Sequence, residues 1–468
     1  MNPVSNVTKI RREVYKKVVS WALEKPLPIE TKDEDLGILT EQLVSDLTQA
    51  GLPEQGKSVI KLRVRFAMGK DVEQVVNAIP DACNSCMFDK TKYVVTELCQ
   101  NCTAKLCQNS CPKKAITIVD GRVRIAEVCV GCGQCAKNCP YGAIVQAVRP
   151  CENECAVGAV KFDESNKVMI DGEKCVSCGA CVVACPFGAI TDAVQLVDVI
   201  RVIRSKELPV VAMPAPALAG QYGPKTTPEQ LKAALLKMGF DDVVETALGA
   251  DMVAKEEAEE AKERYSEKIM TNSCCPAYLM AVKAKLPKLA HTISHTHSPM
   301  RVTGKLIKER YNGKVITVFI GPCVGKKAEM TWGDETDYVL TFEEVAAAFE
   351  VMGIDPAKET AVEMKDATHL GRMFAKTGGV IAAVAEVVDV NKHPIQIFHP
   401  TKLKNCLTTL RTEAAKAVKG DGFTFVEGMA CPSGCISGPG TIAPVMVANR
   451  ALDKYVESGK SNVLNKPQ

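Results

Sequence analysis

The chain has 468 residues, a formal net charge of +3, 46% hydrophobic residues and 24% charged residues. This is the composition of a globular protein with room for about three domains. The near-neutral charge and the 5% aromatic content argue against nucleic-acid binding, and the longest apolar stretch, Gly378–Val388, is too short to span a membrane. The first residues, Met1–Lys17, are polar and basic without an apolar centre, so we expect no secretory signal and a cytoplasmic location.

Residues 1–80 are predicted to form a helical N-terminal segment. Apolar residues recur at helical spacing in Val14–Leu23, Leu36–Leu47 and Val59–Met68. No motif here carries chemistry, so we expect the segment to contribute packing.

Sixteen of the 22 cysteines lie between Cys83 and Cys185. Because no secretory signal is expected, this spacing favours metal binding over disulfides. Two stretches are bacterial ferredoxin runs, Cys129-x2-Cys132-x2-Cys135-x3-Cys139-Pro140 and Cys175-x2-Cys178-x2-Cys181-x3-Cys185-Pro186. A third run, two residues longer in its middle, begins at Cys99 and ends at Cys111. Structural zinc and ordinary buried thiols are the alternatives, but neither requires this cadence.

An internal repeat places the four cysteines outside these runs. Four residues after the last cysteine of each run stands Ala-Ile, and four residues after Cys155 stands Ala159-Val160. Cys151-x3-Cys155 therefore ends a split run that begins with Cys83-x2-Cys86. We interpret residues 81–190 as nested ferredoxin-like α+β domains, in which one two-cluster unit is inserted into another. Asp120-Gly121 and Asp171-Gly172 are predicted hairpin turns between their short strands.

In such runs the first three thiolates hold one 4Fe–4S cluster, and the fourth reaches the neighbouring cluster. The sixteen cysteines then form four sets: Cys99, Cys102, Cys107 with Cys139; Cys129, Cys132, Cys135 with Cys111; Cys83, Cys86, Cys151 with Cys185; and Cys175, Cys178, Cys181 with Cys155. A series of clusters has no substrate chemistry of its own. We therefore predict that it carries electrons between an external partner and the rest of the chain.

Residues 191–450 are predicted to form an α/β domain, followed by a C-terminal tail over residues 451–468. Helical and β-type stretches alternate, as in Pro209–Met213, Pro228–Met238, Met252–Lys268 and Lys314–Ile320. Three Gly- and Pro-rich motifs carry the cysteines that could serve a fifth cluster: Thr271–Tyr278 (TNSCCPAY), Gly321–Glu329 (GPCVGKKAE) and Met429–Cys435 (MACPSGC). They supply more thiols than one cubane needs, which leaves a thiol for another task.

These three motifs, in this order, resemble the signature motifs of the FeFe hydrogenases over roughly Pro209–Val447. The resemblance implies an H-cluster, a 4Fe–4S cubane joined through a cysteine to a di-iron subsite with CO, cyanide and dithiolate ligands. By motif position, Cys275, Cys323, Cys431 and Cys435 would hold the cubane, with Cys435 bridging to the di-iron subsite.

The resemblance also implies roles for the catalytic residues around the cluster. Cys274 would pass protons to the dithiolate, Lys326 would hydrogen-bond a cyanide ligand, and Met429 would pack beside the bridging region. Glu329, retained in the second motif, is grouped with them.

A proton route carries over from the same family. Ser294 falls at the relay serine, and Glu257, Glu260 and Arg264 match the family's Glu, Glu and Arg on one helix face. The route would run from Cys274 through these four residues. The alternative is an ordinary solvated charged face.

Several positions depart from the better-known members. Tyr278 stands where they carry Trp, Ala277 where they carry Gly, Gly325 where they carry Ser and Met300 where they carry Gln, and Pro439 interrupts a Gly-rich tail. We therefore expect a divergent subgroup with a drier di-iron pocket. Outside the motifs, the histidines of the HTISHTH stretch are expected in a solvated loop, and Cys406 is expected to be a buried free thiol.

The predicted fold is thus an α/β catalytic domain, with two lobes around the H-cluster, preceded by the ferredoxin-like domains and the helical segment. The predicted function is a ferredoxin-type hydrogenase that oxidises H2 reversibly and passes electrons to a soluble carrier such as ferredoxin. Maturation enzymes would supply the di-iron subsite, and neither nucleic acid nor a membrane is an expected partner. The alternatives are a slow, hydrogen-sensing redox module and an iron–sulfur assembly scaffold that holds only a cubane.

Overall fold

The computed structural model describes residues 5–52, 56–85, 93–119, 121–388, 395–417 and 422–459. The fold is mixed α/β. The N-terminal part forms three helices, α1 (Asn6–Glu24), α2 (Asp33–Gln49) and α3 (Lys57–Ala67). The cysteine-rich part follows with β1 (Val76–Ala78), β2 (Tyr93–Val95), α4 (Leu106–Asn109), β3 (Ile116–Val119), β4 (Arg122–Ile125), α5 (Gln134–Lys137), β5 (Ile144–Gln146), α6 (Pro150–Asn153), β6 (Val160–Phe162), β7 (Val168–Ile170), α7 (Ala180–Ala184) and β8 (Ile190–Asp192).

The remaining part alternates longer helices with strands. Its elements are α8 (Leu196–Ser205), β9 (Val210–Pro214), α9 (Pro228–Met238), β10 (Asp242–Val243), α10 (Thr246–Glu263), β11 (Ile269–Thr271), α11 (Pro276–Lys285), α12 (Pro299–Arg310), β12 (Ile316–Gly321), α13 (Gly325–Glu329), β13 (Tyr338–Thr341), α14 (Phe342–Val351), α15 (His369–Met373), α16 (Gly379–Val387), β14 (Ile395–Phe398), α17 (Leu403–Ala417), β15 (Phe423–Val426) and α18 (Val445–Glu457). Among the described residues, no helix combines the length and the apolar character needed to cross a membrane.

Two parallel sheets position the three cysteine motifs. One sheet has the order β10-β9-β12-β13 and the other β11-β15-β14, and all their paired strands are parallel. Each motif follows the carboxyl end of a strand, β11, β12 or β15. Ligand sites in α/β proteins gather outside these strand ends, which explains why distant segments of chain meet there.

Short antiparallel pairs organise the cysteine-rich part. Strand β1 pairs with β8, and β2 pairs with β5. In chain order, the β2–β5 pair therefore lies within the segment that the β1–β8 pair begins and ends. Strands β3 and β4 form a hairpin around Gly121, whose φ is +72°, whereas Asp120 lies outside the described residues.

The prediction of a hairpin turn at Asp171-Gly172 is wrong. Strands β6 and β7 are joined earlier, through residues 163–167, where Asn166 takes the left-handed conformation with φ of +63°. Asp171 instead follows β7, and its carboxylate binds Lys161 and Lys174. An Asp-Gly pair is a turn signal that other turn residues can replace.

The helical N-terminal segment shares its core with the first parallel sheet. Buried side chains of α1 and α2, such as Val18 and Leu36, belong to the same hydrophobic cluster as Val211 and Ile320 of the sheet. Helix α1 packs against α8 and α14. These helices therefore contribute packing, because their apolar faces cover the sheet.

A buried ion pair fastens the beginning of α10 to α15. Arg372 and Glu245 are each 1% exposed at the side chain, and two hydrogen bonds of 2.9 Å join their guanidinium and carboxylate groups. The ring of Tyr455 from α18 lies 4.0 Å from the guanidinium carbon. The pair thus connects three helices that border the motif loops.

We expect Arg372→Met to lower the free energy of unfolding by about 3–5 kcal/mol, because it leaves the carboxylate of Glu245 buried without its cation. Lys376→Met is the matched control, since Lys376 pairs with Asp453 at a half-exposed position and such pairs contribute about 1 kcal/mol or less. Chemical denaturation of both variants measures the difference. Equal losses of unfolding free energy in the two variants would contradict the stabilising role of the buried Arg372–Glu245 pair.

Candidate functional site

Four motif thiols meet in one pocket between the two parallel sheets. Cys275 stands directly before α11, Cys323 follows β12, and Cys431 and Cys435 lie in the loop after β15. All four line one cavity, which offers about 90 Å³ to water-sized groups. The other lining residues are mostly apolar and include Ala217, Pro299 and Phe374 together with Cys274, Lys326 and Met429.

The chemistry of these thiols fits an iron–sulfur cluster. Burial raises the pKa of Cys323 to about 11 and of Cys435 to about 12, and it raises the pKa values of Cys275 and Cys431 as well. The thiols also repel one another as thiolates. Only a strongly cationic centre makes such a group of thiolates stable, because metal binding must displace the thiol protons.

No three His, Cys, Asp or Glu side chains among the described residues lie close enough to hold a single metal ion. The thiols are instead spaced around a cavity. A cubane fits this arrangement, since it binds each thiolate at a different corner.

The loop that carries Cys431 and Cys435 requires a glycine between them. Gly434 has a φ of +74°, and a Cβ there would lie 2.8 Å from the backbone nitrogen of Thr377 and 3.0 Å from Sδ of Met429. Only glycine adopts this conformation without cost and leaves that space free. The loop therefore turns tightly enough to point both thiols into the cavity.

Cys274 has a partner that the sequence reading missed. The side-chain amide of Asn272 donates a hydrogen bond to Sγ of Cys274 at 3.1 Å, and its oxygen accepts one from the backbone N–H of Gly428 at 2.8 Å. Burial raises the pKa of Cys274 well above its ordinary value, nearby Glu257 raises it further, and Asn272 opposes both effects. The only sequence signal for Asn272 was its place two residues before the cysteine.

Lys326 is buried with all its donors engaged. Its ammonium group donates to Oε2 of Glu329 at 2.5 Å, to Oγ of Ser298 at 3.0 Å and to the carbonyl oxygen of Cys274 at 3.2 Å. An ammonium group has three N–H donors. A hydrogen bond from Lys326 to a further ligand would therefore replace one of these contacts. After Asn272, Ser298 is the second residue of the site that the sequence alone did not indicate.

The predicted proton route is connected at its outer end. Ser294 donates to Oε2 of Glu260 at 2.7 Å, and Arg264 donates to Oε1 of the same carboxylate at 2.6 Å. The backbone N–H of His295 also donates to Glu260, while the His295 side chain is 80% exposed. As expected, His291 and His297 are exposed too, so this end of the route reaches solvent.

Glu257 occupies the inner end of the route. It is fully buried, and neither carboxylate oxygen has a hydrogen-bond partner among the described residues, because Ser294 directs its hydroxyl to Glu260. Burial raises the pKa of Glu257 to about 8, and the nearby Ser294 and Ser273 offset only part of that increase. The carboxyl group can therefore gain or lose a proton near neutral pH.

Two of the residues that depart from the family pattern line the pocket. Ala277 and Met300 line it, and the hydroxyl of Tyr278 forms a hydrogen bond of 2.9 Å with that of Thr271. Pro439 packs against the cysteine-rich part, since a Cβ on Gly179 would lie 2.7 Å from its ring. Ala277 and Met300 thus add to the apolar lining of the pocket.

The sixteen accessory cysteines gather around four further cavities, apart from Cys86, which lies outside the described residues. The thiols grouped by cavity are Cys99, Cys102, Cys107 and Cys139; Cys111, Cys129, Cys132 and Cys135; Cys83, Cys151 and Cys185; and Cys155, Cys175, Cys178 and Cys181. Cys178 also lines the central cavity. The last group is therefore adjacent to the central thiols.

Comparison with known families agrees with this geometry. Residues 208–439 match the family model described as iron only hydrogenase large subunit, C-terminal domain, and residues 123–145 and 168–191 match the 4Fe-4S binding domain. The match to the hydrogenase model thus includes the three cysteine motifs that line the pocket, and the ferredoxin-type matches precede it in the chain. This chain is a divergent FeFe-hydrogenase-like protein.

Curated relatives resemble the chain only distantly. The NADP-reducing hydrogenase subunit of Solidesulfovibrio fructosivorans is 25% identical over 369 residues, which cover 67% of this chain and 56% of that protein. A probable cytosolic Fe-S cluster assembly factor of Drosophila ananassae is 28% identical over 295 residues, 50% of this chain and 62% of that protein. The chain thus spans less than two thirds of the length of either relative.

Among solved structures, an FeFe-hydrogenase from Chlamydomonas reinhardtii is 21% identical, with a TM-score of 0.46. The match covers 55% of this chain and 88% of that one.

Proposed function

We propose that this protein is an FeFe hydrogenase that oxidises H2 reversibly to protons and electrons. The observation that carries this proposal is the shared pocket, in which Cys275, Cys323, Cys431 and Cys435 lie together with Cys274 and Lys326. A site for a cubane alone requires only the first four thiols. Hydrogen chemistry gives the other two groups a task, since the buried thiol of Cys274 can relay a proton and the buried cation of Lys326 can hold an anionic ligand.

The four thiols would hold the cubane of an H-cluster, with Cys435 as the bridge to a di-iron subsite. When bound, this group would supply the metal centre and the dithiolate base between which H2 is split heterolytically. The protein's apolar lining excludes water, which strengthens every charge interaction in the pocket. Lys326 places a fixed positive charge there, and Met429, which lines the same pocket, would pack beside the bridging cysteine.

The proton leaves through side chains of this chain. Cys274 holds it at Sγ, oriented by the amide of Asn272, and Glu257 receives it at a carboxylate whose pKa of about 8 suits exchange near neutral pH. Ser294, Glu260 and Arg264 continue the route to the surface. Hydrogen bonds join the last three of these residues, whereas Glu257 exchanges its proton without a standing hydrogen bond among the described residues.

The four accessory sets, in nested ferredoxin-like domains over residues 81–190, would each hold one 4Fe–4S cluster, and these clusters would supply a path for electrons out of the pocket. The set of Cys155, Cys175, Cys178 and Cys181 is first, because Cys178 reaches the central cavity. The electron acceptor is a soluble one-electron carrier such as ferredoxin. Residues 191–450 form the catalytic domain, in two lobes around the pocket. Maturation enzymes load the di-iron subsite. The protein then works in the cytoplasm.

A second candidate is an iron–sulfur assembly scaffold, or a slow hydrogen-sensing module, on the same fold. Similarity to an assembly factor favours the scaffold, and so do the contacts of Lys326, whose donors are all engaged within the protein. A scaffold would bind the cubane without hydrogen chemistry.

Isotope exchange separates the two candidates. Anaerobically matured protein is supplied with D2 in ordinary water, and the release of HD is followed by mass spectrometry. We expect steady HD formation, with none from the same protein reconstituted with cubanes but without the di-iron subsite. No exchange from protein with proven maturation would favour the scaffold and reject the hydrogenase.

A further inference from the structure

Two buried arginines lie beside one of the four accessory sets. This set, Cys83, Cys86, Cys151 and Cys185, is called the outer set below. Arg63, from helix α3, is 6% exposed, and Arg149, which directly precedes α6, is 8% exposed. A buried cation stabilises nearby negative charge more strongly than an exposed one, so the two arginines bear on any cluster held by these thiols.

Arg63 reaches the outer set through a glycine. Its guanidinium group donates to the carbonyl oxygen of Gly188 at 2.5 Å, three residues after Cys185. A Cβ on Gly188 would lie 2.5 Å from Nη2 of Arg63. Gly142 and Gly158 occupy the same repeat position after Cys139 and Cys155, yet a Cβ on either would meet nothing within 4 Å. The arginine contact is therefore particular to the outer set.

Arg149 approaches from the other side of the set. Its guanidinium group donates to Oδ1 of Asn166 at 3.0 Å and lies 3.5 Å from the centre of the Phe162 ring. That ring lines the same cavity as Cys83, Cys151 and Cys185. Pro150, the residue after Arg149, lines that cavity as well.

The charges near the other sets are different. Lys113, which lines the cavity of Cys111 and Cys129, is exposed, so water screens its charge. Lys105, which lines the cavity of Cys99 and Cys139, is only half-buried. Among the described residues, the outer set is thus the one of the four with two buried guanidinium groups beside it.

We propose that Arg63 and Arg149 raise the reduction potential of the cluster at the outer set. Reduction adds one electron to a cluster that is already anionic. A fixed cation in a medium of low dielectric constant stabilises the reduced state more than the oxidised state.

The inference rests on the cluster assignment of the proposed function but does not require hydrogen chemistry. Full-length protein reconstituted with cubanes, without a di-iron subsite, is therefore suitable for the test. A redox titration followed by EPR gives the midpoint potential of each cluster. Cys151→Ala identifies the signal of the outer set, because it removes one ligand. If this variant loses no cubane signal, the inference is rejected together with that cluster.

Arg63→Gln and Arg149→Gln are each expected to shift the midpoint of the outer cluster to more negative potential, and the double variant is expected to shift it further. Lys113→Gln, the exposed control, should leave all midpoints close to those of the original protein. Arg63→Lys should retain most of the original potential, since it keeps the charge. An outer-set midpoint that stays unchanged in the double variant would overturn the inference.

A second pair of variants tests the position of the charge without removing it. Gly188→Ala forces the guanidinium of Arg63 away from the set, whereas Gly158→Ala imposes a similar backbone strain with open space around its Cβ. We expect a negative shift of the outer-set midpoint in the first variant only. Equal behaviour of the two variants would show that strain, not the arginine, sets the potential.

Discussion

Replacing Cys274 by alanine is expected to lower hydrogen oxidation and proton reduction by about 10²–10⁴-fold, the usual contribution of a positioned proton carrier. The thiol is buried in the central pocket next to Glu257 and is held by the amide of Asn272. Alanine offers no group that can hold a proton there. The four cubane thiols are untouched, so EPR should detect an unchanged central cubane in the inactive protein.

Cys406→Ala is the matched control for this variant. Cys406 is also a buried free thiol, as expected from the sequence, but its hydrogen donates to the carbonyl oxygens of Pro400 and Met429 behind the pocket wall. We expect this variant to retain most of its activity. If Cys274→Ala were as active as Cys406→Ala, the proposed exit for protons would be incorrect.

Glu257→Gln should lower activity by about 10²-fold or more, since the amide keeps the shape of the side chain but cannot accept the proton. Glu257 is buried at the inner end of the route, whereas Glu259, two residues further along α10, is exposed. Glu259→Gln is therefore the control and should be fully active. Steady-state rates in both directions measure the effect, and similar rates for both variants would contradict the route.

The same carboxyl group should make stability depend on pH. Its pKa is raised from 4.5 to about 8 by burial, so between these values the folded protein holds a proton that the unfolded chain has released. The free energy of unfolding should therefore fall with rising pH across this window, by about 1.4 kcal/mol per unit from this group. The contribution is complete below pH 4.5 and lost above about pH 8. Glu257→Gln should lack this slope in denaturation curves of the cluster-free protein.

Much of the site follows from the sequence because metal ligands and catalytic groups need particular residue types at particular spacings. The motifs around Cys274, Cys323 and Cys431 indicated one pocket, and the structure places their side chains in one cavity. The spacing of the accessory cysteines indicated four sets, and the described thiols line four cavities in the same grouping. The ligand roles remain proposals.

Contacts between distant segments could not be predicted in this way. The approach of Arg63 to Gly188 depends on how α3 packs against the cysteine-rich part, and no local pattern encodes it. The engagement of Lys326 by Ser298 depends on a loop that precedes α12. Helix α10 begins at Thr246 rather than at Met252, because its first turn is anchored by tertiary contacts such as the hydrogen bond from Thr246 to Met213.

The most direct test of the hydrogenase assignment is the infrared spectrum of anaerobically matured protein, recorded under inert gas and then under hydrogen. We expect bands from CO and cyanide ligands, and we expect them to shift when hydrogen is admitted, since the pocket would hold an H-cluster that reacts with its substrate. Bands that do not respond to hydrogen would contradict catalysis and favour an inactive or sensor-like site. The absence of such bands in protein with proven maturation would contradict the H-cluster itself.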